Sequence, residues 1–99
     1  MGLIKVKILP FYTSGINQSP CLVSIYIDAK IVWCARSDSI AVFEAHKPCM
    51  VSFLIYNAGV SDRLPFNHDL VITGILQPGK QYEMIQAEDS YEFMEIITE

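Results

Sequence analysis

Charge is scarce in this chain. Charged residues make up 18% of it, against about 25% in an average domain. A surface so short of ionic groups often has part of its area covered by a partner or by another copy. Basic residues are scarcer still: seven Lys and Arg stand against eleven Asp and Glu, a net charge of −4. That balance argues against nucleic acid, whose phosphates call for a cationic face, and against electrostatic attachment to anionic lipid. The acidity is uneven. Residues 81–99 hold Glu83, Glu88, Asp89, Glu92, Glu95 and Glu99 with no Lys or Arg, whereas Lys5 and Lys7 lie near the start. Both groups read as solvated strand faces.

Long hydrophobic runs are also missing. The longest uncharged stretch, Ile8 to Ile27, is interrupted by Pro10, Gly15, Asn17, Gln18 and Pro20, so no membrane span is expected. The opening Met1-Gly2-Leu3-Ile4-Lys5 is not a secretory signal. Val6 occupies the position where a myristoylation signal would carry a hydroxyl. The expected location is the cytoplasm, unless the chain is a fragment of an exported protein, for which the missing signal says nothing. Cysteines number three, an odd count that gives no disulfide framework. Cys21, Cys34 and Cys49 are expected to be reduced and structural.

Catalytic signatures are absent too. There is no glycine-rich phosphate loop, and Ser14-Gly15 lacks the flanks of a nucleophile elbow. His68 beside Asp69 could act as a base with its orienting carboxylate, but any sequence of this length offers such a pair. His46 and Cys49 stand three apart, and Cys34 or His68 could join them. A structural zinc site usually needs two close ligand pairs; here there is one, and Pro48 between its members aims them apart. No metal, no cofactor and no catalytic residue is expected. His46 reads as solvated and Cys49 as a buried small hydrophobe.

What is present is a core-forming alternation of period two. Hydrophobic residues, tyrosine included, make up 52% of the 99 residues, enough for a single domain over 1–99 to bury roughly 60–68% of its unfolded surface without staples. Ile4, Val6 and Ile8 alternate with Lys5 and Lys7 over Leu3–Leu9, a half-buried strand. Further strands are expected at 21–27, 31–35, 39–45, 49–56, 69–76 and 81–87. Pro10–Pro20 and Asn57–His68 read as long loops. Gly74 marks a bulge or a close contact, and Gln77-Pro78-Gly79-Lys80 is a type II turn signal. The tail is open between strand, from the alternation of Tyr91, Phe93 and Ile97, and a short helix capped by Asp89. Seven or eight short strands with turns at this spacing imply an all-β fold, a small antiparallel β-sandwich or small barrel. Ile4, Val6, Ile25, Trp33, Val51, Phe53 and Ile72 are its expected core.

The connection at Asp28-Ala29-Lys30 is ambiguous. A two-residue type I′ turn demands positive φ at both central positions, which Ala29 adopts only at a cost. A three-residue connection avoids this. It also sorts Val23, Ile25, Ile27, Ile31, Trp33 and Ala35 onto one face and Ser24, Tyr26, Val32 and Cys34 onto the other, so it is preferred here.

Most aromatics fall in strands, where packing explains them. Tyr12 and Phe66 fall in the long loops, and exposed loop aromatics are better binding candidates, though they can also tuck under their own loops. Tyr26 and Val32 are candidates on the outer face of the hairpin formed by 21–27 and 31–35.

Ile25-Tyr26-Ile27-Asp28-Ala29-Lys30-Ile31 resembles the hairpin of PEGA-type domains, small bacterial β-sandwich modules in which a strand ends in Asp-Gly-Lys and turns into the next. Glu44-Ala45-His46-Lys47 and Pro78-Gly79-Lys80-Gln81-Tyr82 resemble that family's strand junctions. The similarity spans 21–87. The Pro-Glu-Gly-Ala motif is missing and Ala29 stands where Gly is usual. The resemblance implies an accessory, non-catalytic domain with an Ig-like or PEGA-like sandwich and carries over no site residues.

The expected function is therefore a non-enzymatic protein-interaction or assembly domain, a homo-oligomer or one bound to a protein partner. Four strands carry apolar residues on both faces, more than a sandwich with one wetted face per sheet requires. The alternative is a carbohydrate- or small-ligand-binding module using Tyr12 and Phe66; an enzyme ranks third.

Overall fold

The structure, a computed structural model, describes residues 2–13, 19–58, 68–88 and 90–97. They form eight strands: β1 (Gly2–Lys7), β2 (Leu22–Ile27), β3 (Lys30–Arg36), β4 (Ile40–Ala45), β5 (Cys49–Ala58), β6 (His68–Leu76), β7 (Gln81–Ala87) and β8 (Ser90–Ile96). The strands make two sheets of four, ordered β4-β1-β7-β8 and β3-β2-β5-β6. No helix occurs among the described residues, so the tail is a strand. Its pairing with β7 from Gln81↔Ile96 to Ala87↔Ser90 supplies the ladder that outweighs an Asp89 helix cap.

The two sheets pack on each other in a sandwich-like way. Ile4, Val6, Phe43 and Met84 from one sheet meet Val23, Ile25, Val51, Phe53, Ile55, Ile72 and Leu76 from the other in one buried cluster. The ring centroids of Phe53 and Phe93 lie 5.1 Å apart across this layer. A Cβ on Gly74 would sit 2.6 Å from the Phe93 ring, and the β5–β6 register runs unbroken through Val51↔Gly74. Gly74 thus marks a close contact, not a bulge.

Three expectations need correction. The sandwich is not wholly antiparallel, because β1 pairs parallel with β7 through Lys5↔Gln81, Val6↔Tyr82 and Lys7↔Glu83. These segments are remote in sequence, so no tight turn forces them antiparallel. The 77–80 turn anchors them: the Gly79 amide donates to the Leu3 carbonyl at 2.8 Å, and Gly79 takes the positive φ of 83° that such a turn needs.

The β2–β3 connection is the two-residue turn, with Asp28 at φ 51° and Ala29 at φ 64° and Ile27 paired with Lys30. The register then shifts between Ile25 and Tyr26, where Ile31 faces Tyr26 but Trp33 faces Ile25. Val32 is the extra residue of this bulge. The bulge restores Val23, Ile25, Trp33 and Ala35 to the core side while leaving Ile31 exposed. Trp33 is half-buried at the margin of the core, because β3 is an edge strand; the other six expected core residues are buried.

Candidate functional site

The outer faces of the two sheets differ in kind. On β4-β1-β7-β8, charge is interspersed: Leu3 pairs with Glu44, Lys7 with Glu83, Glu83 with Met94 and Ile85 with Glu92. This face mixes that charge with exposed Leu3, Ile40, Val42 and Met94. On β3-β2-β5-β6 the outward positions are Ser24 and Tyr26 of β2, Ile31 and Cys34 of β3, Met50, Ser52, Leu54 and Tyr56 of β5, and Val71, Thr73 and Ile75 of β6. Their register runs Cys34↔Ser24↔Leu54↔Val71, then Ile31↔Tyr26↔Ser52↔Thr73, with Met50↔Ile75 at one end. None of these is charged. At the other end Leu22 pairs with Arg36, and only there does charge appear, as Arg36 and Asp69. Both are engaged: Arg36 donates to the Pro20 carbonyl at 2.9 Å, and the Asn57 amide donates to the Asp69 carboxylate at 3.1 Å.

Period-two alternation builds this face. The same strands that send Val51, Phe53, Ile55 and Ile72 into the core send Met50, Leu54, Val71 and Ile75 outward. Met50 and Val71 are each 61% exposed and Ile75 71%, so these are open hydrophobic surface. Tyr26 and Tyr56 stand side by side, their hydroxyls 3.5 Å apart. The bond to Tyr56 holds the Tyr26 phenol above its ordinary pKa. The Ser24 hydroxyl donates to Cys34 Sγ at 3.5 Å. Four of the polar side chains here thus pair with one another.

The candidate residues separate. Tyr26 lies on the uncharged face. Val32, also exposed, lines a cleft of ≈ 390 Å³ at the β3–β4 side with Ile27, Lys30, His46, Lys47 and Cys49. The bulge turns it there. Tyr12 is exposed and bridges to Pro20. Its neighbour Phe11 is buried and stacks edge-on against Tyr91 at 5.5 Å, so this loop does tuck part of itself into the core. Phe66 lies outside the described residues. Sequence reasoning missed Ser52, Tyr56 and Thr73 as parts of the candidate surface. The signal that could have found them is the lack of charge on the outward positions of β2, β5 and β6 taken together.

The cleft brings His46 and Cys49 together, yet no three His, Cys, Asp or Glu converge on a metal position among the described residues. The cysteines are all free, with Cys21 buried, Cys49 half-buried and Cys34 exposed. Cys34 is therefore not a core residue, because it occupies an outward position of an edge strand. Burial pushes the Cys21 thiol pKa up, against a smaller lowering by Arg36. No helix among the described residues is long and apolar enough to cross a membrane. No family model, curated protein or solved structure matches the chain.

Proposed function

We propose that this is a non-catalytic assembly domain of Ig-like or PEGA-like sandwich type, and that it self-associates through the outer face of β3-β2-β5-β6. The observation that supports this reading is the contrast between the two outer faces: one intersperses Lys and Glu, the other presents Tyr26, Ser52, Leu54, Val71 and Thr73 with no charge. Four strands about 4.8 Å apart, with six residues rising about 3.4 Å each, give a face of roughly 400 Å² in projection. Side-chain relief raises this toward the about 800 Å² per partner of a standard interface. A monomer rarely leaves such an area bare. A second copy presents the same uncharged face, and two-fold pairing is the commonest way to cover it. Sugar binding would rest on Tyr12 alone among the described residues.

Cys34 is a native probe of this face. In dilute protein it should be alkylated first, ahead of half-buried Cys49 and buried Cys21. As concentration rises, its rate should fall several-fold while that of Cys49, in the cleft, holds. Equal rates for Cys34 at all concentrations, in a protein that does associate, would place the contact elsewhere.

A further inference from the structure

Every open sheet has edges, and an edge strand offers unpaired backbone amides and carbonyls to any passing strand. Among the described residues there are four edges: β4 and β8 of one sheet, β3 and β6 of the other. Three carry recognised protection. β3 has the bulge at Val32 and is bounded by Lys30 and Arg36. β4 is short and carries Glu44. β8 carries Glu92 and Glu95, the latter paired with Lys80 at 2.8 Å. The fourth carries charge only at its start, where Asp69 is engaged by the Asn57 amide at 3.1 Å. From Leu70 to Leu76, β6 reads Leu-Val-Ile-Thr-Gly-Ile-Leu, without charge or proline, and its register with β5 is unbroken over those seven residues.

Among the described residues no strand lies along the outer edge of β6. Its only strand partner among them is β5, and a groove of ≈ 310 Å³ runs beside it between Leu70–Thr73 and Ser90–Tyr91. Resting on the self-association proposed above, we infer that β6 pairs antiparallel with β6 of a second copy, joining two four-stranded sheets into one of eight. Centred on Thr73, the pairing sets hydroxyl against hydroxyl and Val71 of one copy opposite Ile75 of the other, so uncharged meets uncharged throughout. A foreign strand would have to match this pattern; the same strand reversed does so by symmetry. The two-fold axis of this pairing is normal to the sheet, which keeps both uncharged faces on one side and makes them continuous. Edge pairing alone buries less than the about 1,000 Å² of a stable interface. The face contact has its axis in the sheet plane, so one copy can make both contacts at once.

Hydrogen–deuterium exchange across a dilution series of the full chain tests this. Alternate amides of Leu70–Leu76, those not bonded to β5, should exchange freely in dilute protein and slow at least tenfold as it associates. The edge amides of β3, β4 and β8 should not change. Thr73→Lys and Thr73→Glu should each weaken association at least tenfold, and a mixture of the two should restore it. Association that leaves the β6 amides unchanged would overturn the edge pairing alone. A chain that is monomeric at every concentration would overturn both this and the face contact beneath it.

Discussion

Ser37 shows how a single buried polar side chain can hold a loop. It lies in the β3–β4 link, and its hydroxyl accepts from the Phe11 amide at 3.1 Å and donates to the Phe11 carbonyl at 2.6 Å. Its own amide donates to the Cys21 carbonyl at 2.8 Å. The segment that follows β1, the start of β2 and the β3–β4 link are thereby tied at one end of the sandwich. Ser37→Ala would leave the Phe11 amide buried without its acceptor, a loss of about 1–3 kcal/mol. Urea denaturation should show the midpoint falling accordingly; an unchanged midpoint would mean that water replaces the hydroxyl. Nothing in the sequence marks Ser37, because its role comes from where the chain on either side of it folds. Phe11 lies in the same loop as Tyr12, and its partners Ser37 and Tyr91 hold it against the core.

At the scale of elements, the strands were legible because side-chain alternation is local, and the turns were legible where glycine or proline marks them. The β2–β3 turn was misread because Ala29 lacks the usual marker and sits at φ 64° regardless. The local cost is outweighed by the pairing of β2 with both β3 and β5. Ala29→Gly should therefore stabilise the protein by about 1 kcal/mol, since glycine adopts this conformation without the Cβ conflict. A lower thermal midpoint in Ala29→Gly would contradict the turn geometry. Gly74 is the converse case, where the space beyond the backbone is already taken. Gly74→Val would drive a side chain into the Phe93 ring and should cost about 1–3 kcal/mol by overpacking. Gly74→Val combined with Phe93→Ala should recover part of that loss, and no recovery would separate the two residues. Strand pairing across long sequence separations, β1 with β7 above all, could not be read from the sequence, because the alternation is the same for parallel and antiparallel neighbours.

For the molecule as a whole, the shortage of charge in the composition has a location. The Lys and Glu of the strands are concentrated on β4-β1-β7-β8 and leave the other outer face without any. Sequence pattern exposed the excess of apolar residues, but it gave no sign of the bulge that sets Val32 beside the edge cleft, because a one-residue bulge leaves the pattern around it unaltered. The face itself became visible only when β2, β5 and β6 were set side by side. Sedimentation velocity of the wild type and of Leu54→Lys, whose substitution puts a charge at the middle of that face, is the most direct measurement of self-association. The wild type should sediment above its 11.2 kDa protomer mass at low micromolar concentration, and Leu54→Lys should return it to a folded protomer. A wild type found only at 11.2 kDa, or a Leu54→Lys variant that associates as strongly as the wild type, would contradict the assignment of this face.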